Sequence, residues 1–382
     1  MITIIDKKQC TGCTACYATC PLNAIKMEAD EEGFLYPKVD KTICVNCHEC
    51  ENVCPINNHT ESDTDFKKAY AAKNTNAIDR AMSSSGGIFI ALAKYVLKSG
   101  GVVFGCALDE DFHAHHVLVT TEDDLSSIVG SKYMQSRIDN VFNIIKDNLK
   151  NEKNVLFSGT TCQVAGLKAF LGMEYTNLIC IDFICLGVPS PRIWDDYLHI
   201  FFDVENIEKI NFKDKTNGWH SFSLRITNKQ KNDFIKIGAK TYYFAGYFKG
   251  LYSRPCCSEC VFKFDKNRIS DITISDCWGS EHIAPELDDN KGLSSVVCHS
   301  KKGIDLFNTI SNELIIKEAE LKDIEFYNSG YCKPRELGTL RNRFWNDYYK
   351  KGAKFAFKKY CKPERKNIII RGLRKIKKII KG

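Results

Sequence analysis

Residues 10–21 read CTGCTACYATCP: Cys10, Cys13, Cys16 and Cys20 stand at intervals of three, three and four, and a proline closes the run. Residues 44–55, CVNCHECENVCP, repeat that spacing and that proline with Cys44, Cys47, Cys50 and Cys54. Two C-x2-C-x2-C-x3-C-P runs are the pattern of a bacterial-type ferredoxin with two [4Fe–4S] clusters, in which the fourth cysteine of each run serves the other cluster. The pattern therefore assigns Cys10, Cys13, Cys16 and Cys54 to one cluster and Cys44, Cys47, Cys50 and Cys20 to the other. Zinc competes for C-x2-C pairs, but a tetrahedral ion takes four ligands from two pairs and leaves the triplet unexplained. Between the runs, residues 22–40 (LNAIKMEADEEGFLYPKVD) alternate apolar and polar residues, with a turn expected at Gly33. Residues 1–58 are expected to form a ferredoxin-type domain.

The totals agree with reduced, functional thiols. The chain has 19 cysteines in 382 residues, about 5%, whereas disulfide scaffolds exceed roughly 8–10%. No signal peptide opens it, and no apolar run of about 18 residues could cross a bilayer. The expected location is cytoplasmic, where clustered cysteines hold metal or do redox chemistry.

Residues 57–68 (NNHTESDTDFKK) are polar and aperiodic, as a linker is. The remainder exceeds what one core comfortably fills, so two parts are expected, 69–205 and 206–345, before a basic tail at 346–382. In the first part, strands at 69–74 and 101–108 flank a helical stretch at 86–100. Residues 154–172 and 177–202 then each run strand, loop, helix. This predicts an α/β domain with a β-rich second part, ligands lying at the strand ends. No G-x-G-x-x-G follows a strand, so a Rossmann dinucleotide site is not supported.

Three loops carry chemistry. SSSGG (83–87) precedes an apolar helix and reads either as a helix cap or as a phosphate cradle. GTTCQ (159–163) sets Cys162 at a strand end and a helix start, as packing residue, low-pKa nucleophile or cluster ligand. FICLG (183–187) sets Cys185 past another strand, and RPCCSEC (254–260) adds Cys257 and Cys260, with Cys256 as an alternative first member. One C-x2-C pair and two separate cysteines would complete a third cluster.

Taken in order, SSSGG, GSKYMQS (130–136), SGTTCQVAGL (158–167), DFICLGVPSP (182–191), RPCCSEC and DITISDCWG (271–279) resemble the coenzyme F420 hydrogenase/dehydrogenase beta-subunit family of iron–sulfur flavoproteins. The resemblance implies a flavin, usually FAD, beside a [4Fe–4S] cluster held by Cys162, Cys185, Cys257 and Cys260. It further implies flavin contacts from Ser84, Ser85, Gly86 and Gly87 and from Lys132, Tyr133, Gln135 and Ser136. Thr161 stands where the family pattern has proline, a mild change. Leu186 stands where it has histidine, which removes an imidazole that could donate a proton.

The implied activity is an oxidoreductase passing electrons from a soluble ferredoxin, or another low-potential donor, through the clusters to the flavin and on to a small molecule. The context of SSSGG and GCAL is similar to stand-alone bacterial members found with surface-polysaccharide enzymes, so a sugar or glycan intermediate ranks ahead of coenzyme F420. An electron-transfer module without its own substrate, and a redox sensor built on Cys162, are the alternatives. Trp219 and His220 read as packing residues or as substrate flanks, Asp276 and Trp278 as residues facing the flavin, and HAHH (113–116) as a surface run.

The formal charge of +7 is concentrated at one end: residues 351–382 hold 13 Lys and Arg against one Glu, leaving the rest of the chain acidic. In 367–382 (NIIIRGLRKIKKIIKG), Ile369, Leu373, Ile376 and Ile380 fall at helical spacing among cations. Such a segment either docks on an anionic membrane surface or packs on its own domain. Without an aromatic platform, nucleic acid is not an expected partner.

Overall fold

The structure, a computed structural model, describes residues 1–58, 67–264 and 268–363. Most of the linker, and the amphipathic segment 367–382, lie outside the described residues.

Both cysteine runs bend by the same device. Gly12 (φ 69°) and Thr14 (φ 68°) in the first, and Asn46 (φ 54°) and His48 (φ 65°) in the second, adopt left-handed backbone at equivalent positions. For a non-glycine this costs roughly 1–2 kcal/mol. Its recurrence in both repeats marks a loop that must curl tightly. Short helices come next, Ala15–Thr19 and Glu49–Asn52, and β1 (Ile25–Ala29) pairs antiparallel with β2 (Leu35–Val39). The hairpin turns at Gly33 (φ 85°), where a Cβ would lie 2.6 Å from that of Arg192, so only glycine lets the tip reach the neighbouring helix.

That helix, Pro191–Phe201, follows a strand of an eight-stranded sheet. Its strands are β3 (Lys68–Asn74), β4 (Val102–Leu108), β5 (Ala114–Val119), β6 (Val155–Ser158) and β7 (Leu178–Phe183), with three more from late in the chain. In order of first appearance the intervening strands β8 (Ile207–Asp214), β9 (Ser223–Asn228) and β10 (Asp233–Ile237) make a separate antiparallel sheet. The late strands are β11 (Ile272–Asp276), β12 (Ser294–Cys298) and β13 (Leu314–Ala319), and the spatial order is β13-β3-β12-β11-β7-β6-β4-β5. The centre, β11-β7-β6-β4, is parallel, while the flanking pairs are antiparallel. The sheet thus draws strands from both sides of residue 206.

Successive residues on the central strands serve opposite faces, as a period of two requires. Val103, Leu156 and Ile181 pack with the helices Ile88–Lys98 and Lys301–Thr309. Val102, Phe104, Val155, Phe157, Leu178 and Cys180 pack with Val141–Lys150 and Thr161–Leu171. Cys13 and Ala15 join that second core, which seats the ferredoxin-type domain on the helix that carries Cys162.

Three expectations change. Residues 242–248 form a helix, Tyr242–Phe248, rather than a further strand; Tyr243, Phe244 and Tyr247 are buried in an aromatic core with Trp194 and Phe212, and that packing outweighs their β preference. The body does not end at 345. Helices Arg341–Lys351 and Ala353–Tyr360 are continuous with the body and bury Phe344, Trp345, Phe357 and Tyr360 in the same core. HAHH is not wholly a surface run, because His116 on β5 shares the inward parity of Ala114 and is 6% exposed.

The hairpin tip is also held by charge. Arg341 forks onto both carboxylate oxygens of Glu32, each side chain 12% exposed. Removing one partner of a buried pair costs about 3–5 kcal/mol. Glu32→Ala is therefore expected to lower the denaturation midpoint. The double variant Glu32→Ala/Arg341→Met should recover part of the loss in a denaturant titration.

Candidate functional site

In the first domain the thiols stand around two spaces. One is lined by Cys10, Cys13, Cys16 and Cys54, the other by Cys20, Cys44, Cys47 and Cys50. Each triplet is thus met by the fourth cysteine of the other run. Among the described residues no group of three or more His, Cys, Asp or Glu converges as it would on a single metal ion; the thiols ring a volume instead, which suits a cubane. Backbone amides reach two of the sulfurs, Ile2 N–H to Cys50 Sγ and Ala24 N–H to Cys20 Sγ, both at 3.3 Å. Such donors stabilise thiolate charge.

The two spaces differ in setting. Cys47 is exposed, as are Leu22 and Val45 beside it. The Cys10 set faces the body: a Cβ on Gly166 would meet Cys13 Cβ at 2.7 Å and Sγ at 2.9 Å. Gly166 lies one helical turn, about 6 Å, along the helix Thr161–Leu171 from Cys162.

Cys162, Cys185, Cys257 and Cys260 come together at the ends of β6 and β7 and in the 255–260 turn. Burial, then the charges of Cys260, Cys185 and Cys257 among its neighbours, pushes the Cys162 thiol well above its ordinary value. Burial also raises Cys185, with Lys263 opposing and Cys257 and Cys260 adding. The Cys256 thiol hydrogen-bonds Cys257, raising itself and lowering its neighbour. Thr161 occupies the first helical position after Thr160, whose capping box with Gln163 replaces what a proline would supply.

The residues expected around a flavin divide. Ser84 Oγ accepts from Ser131 N–H at 2.7 Å, and Ser131 and Lys132 wall a cleft of about 1430 Å³ between the turn after β4, β8 and the end of the helix Pro191–Phe201. Ser85 Oγ donates to Leu293 O at 2.7 Å and Gly86 N–H to Ser294 Oγ at 2.9 Å. A Cβ on Gly86 would lie 2.5 Å from Ala72 O, so this glycine serves close backbone packing. Gly87, at φ 86°, caps the helix Ile88–Lys98. The Lys132 ammonium donates to Ser127 O and Val129 O, and burial lowers it to about 8. Tyr133 packs edge-on to Phe244 and Tyr247.

Gln135 and Ser136 point elsewhere. Gln135 donates to Thr11 O at 3.1 Å and accepts from Arg254, so it belongs to the seam with the ferredoxin-type domain. Ser136 joins His116 Nδ1 at 2.8 Å and accepts from Gln163 Nε2 at 3.2 Å. His116 Nε2 lies 3.0 Å from Ser158 O, and burial lowers its imidazole to about 4. It is neutral, and with Ser136, Gln163 and Thr160 it makes a polar chain ending 3.1 Å from Cys162 Sγ. Sequence reading missed His116; the alternation of Ala114 and His116 on a strand was the available signal. Trp219 is a packing residue, stacked on Trp278 at 5.1 Å and donating to Asp276, while His220 meets Asp288 at 2.8 Å.

A model of the 4Fe-4S dicluster domain matches residues 9–58. Models of the coenzyme F420 hydrogenase/dehydrogenase beta subunit match at 69–143 for its N-terminal part and 152–324 for its C terminus. Comparison with curated proteins gives no match. Among solved structures, a chain of the F420-reducing [NiFe] hydrogenase complex from Methanosarcina barkeri is 16% identical, with 77% of this chain and 89% of that one covered at a TM-score of 0.46. With a dicluster domain at its start and both parts of the beta subunit filling most of the remaining residues, the chain belongs to the coenzyme F420 hydrogenase/dehydrogenase beta-subunit family and is an iron–sulfur oxidoreductase of that kind.

Proposed function

We propose that this protein is an iron–sulfur flavoprotein that takes electrons from a ferredoxin-type donor in a reducing compartment and delivers them to a small-molecule substrate such as a sugar or glycan intermediate. The observation that carries the reading is the contact of Cys13 with Gly166, one turn from Cys162, which puts the ferredoxin-type domain against the four-cysteine site of the body. Cys162, Cys185, Cys257 and Cys260 are assigned to a third cluster, and FAD to the cleft beside Lys132 and Ser84. When bound, the clusters supply one-electron transfer and the flavin joins it to two-electron chemistry.

Position sets the part each residue plays. Lys132 sets a cation on the cleft wall, where it holds negative charge on whatever lies beside it. The Ser84–Ser131 bond fixes that wall. Asp109, Glu110, Asp111, Asp203, Glu205 and Glu208 share the cleft wall with Lys132, Lys209 and Lys229. Coenzyme F420 as the small molecule is the second reading. Full-length protein mixed anaerobically with reduced ferredoxin should bleach bound flavin and turn over only with added substrate. Reduction of clusters in a preparation that binds no flavin would leave an electron-transfer module.

Lys132 also sets a pH dependence. Its ammonium is lost as pH rises through about 8, so FAD affinity of flavin-stripped protein should fall across that range. Lys132→Met should bind more weakly at pH 7 and show no such step in a fluorescence-quenching titration.

A further inference from the structure

We propose that Arg254 is a redox-positioning residue, its buried guanidinium raising the reduction potential of the cluster served by Cys10 above that of its twin. The inference rests on the two-cluster reading of residues 1–58 and extends it: two sequence repeats that look equivalent are made unequal by one side chain from the body.

Arg254 is 0% exposed. Its Nε donates to Cys10 O at 2.9 Å, Nη2 to Leu35 O at 2.9 Å and Nη1 to Gln135 Oε1 at 2.7 Å, and Nη2 lies 3.6 Å from Cys10 Sγ. The guanidinium sits 4.2 Å from the centre of the Tyr36 ring and 5.4 Å from that of Phe34. None of these partners is a carboxylate. A cation withdrawn from water needs negative charge close by, and the acidic groups around this one include the Cys256, Cys10 and Cys257 thiols and the Tyr36 phenol. Gly12 leaves room for it: a Cβ there would come within 2.9 Å of Nη1.

Reduction adds one electron, hence one negative charge, to a cluster. A buried cation with an N–H directed at a ligand sulfur favours the more negative state and so raises the potential. The Cys44 set takes neutral donors, the Ile2 amide on Cys50 Sγ and the Ala24 amide on Cys20 Sγ, both at 3.3 Å. A neutral N–H favours added negative charge less than a buried cation does. The Met1 ammonium lies beside this set, but it is solvent-facing and paired with Glu51 at 3.0 Å, so its field is screened and largely cancelled. The consequence is directional. An electron arriving at the exposed Cys47 side falls inward to the Cys10 side, toward Gly166 and the body.

The test is a potentiometric titration followed by electron paramagnetic resonance on full-length, anaerobically prepared wild type, Arg254→Lys and Arg254→Met. Wild type should show two N-terminal potentials. In Arg254→Met the higher one should move to more negative values while the lower stays in place, and Arg254→Lys, which keeps the charge, should fall between. A Met variant with both potentials unchanged, or moved together, overturns the inference, as does a Lys variant indistinguishable from Met. Independently of any variant, wild type labelled with 15N-arginine should show a 15N coupling on the higher-potential N-terminal cluster in pulsed resonance, and its absence there also overturns the inference. A wild type whose two N-terminal clusters share one potential sinks the inference and leaves the two-cluster reading intact, whereas residues 1–58 without iron would sink the reading itself.

Discussion

Cys260→Ala is expected to lower the iron content of anaerobically prepared protein from about twelve to about eight atoms per chain, with acid-labile sulfide falling in parallel, because a [4Fe–4S] cluster needs its full set of ligands. Cys162→Ala should do the same. The remaining iron should keep the resonance signals of the two N-terminal clusters, since their cysteines line separate spaces. Cys256→Ala is the discriminating control. Cys257, not Cys256, makes the C-x2-C pair with Cys260, so this variant should retain about twelve irons. Loss of four irons from Cys256→Ala with none lost from Cys257→Ala would exchange the two assignments. Eight irons in the wild type would remove the third cluster altogether.

Gly166→Leu is expected to separate the ferredoxin-type domain from the body without emptying either. Even a Cβ at this position would meet Cys13 Cβ at 2.7 Å and Sγ at 2.9 Å, and the helix cannot retreat because Val164, Ala165 and Leu167 are buried beside it. Overpacking of this kind costs about 1–3 kcal/mol, or roughly 5–150-fold in the ratio of docked to undocked domain. Iron content should hold. Rapid-freeze resonance should show electrons reaching the N-terminal clusters at the wild-type rate and leaving them more slowly by a comparable factor. An unchanged onward rate would mean that electrons do not cross at Gly166.

The two ends of the Gly166 contact were unequally legible. Cys13 belongs to a spacing with one chemical use, and it could be grouped with Cys10, Cys16 and Cys54 before any coordinates. Gly166 carried no signal, being a glycine inside a largely buried helix whose importance comes only from what packs on it. Arg254 was similar. It stands beside the cysteines of RPCCSEC, yet nothing local says that its side chain crosses to Cys10 and Leu35. Gln135 shows the same limit from the other direction, since family resemblance set it near a flavin and the fold turns it to Thr11 and Arg254.

By itself the sequence determined the local chemistry: two cubane-wrapping loops, strand–loop–helix units with cysteines at their ends, and a glycine-rich turn before a helix. These come from spacing and periodicity within some twenty residues, where chain geometry alone limits the outcomes. The tertiary structure decided which of these pieces meet. Strands from residues 272–319 enter the sheet begun at Lys68, a turn at 255–260 closes on Cys162 and Cys185, and an arginine from the body reaches into the first cysteine loop. Contacts between segments so far apart in the chain depend on packing, burial and charge summed over the whole chain, and no short window of sequence contains that sum.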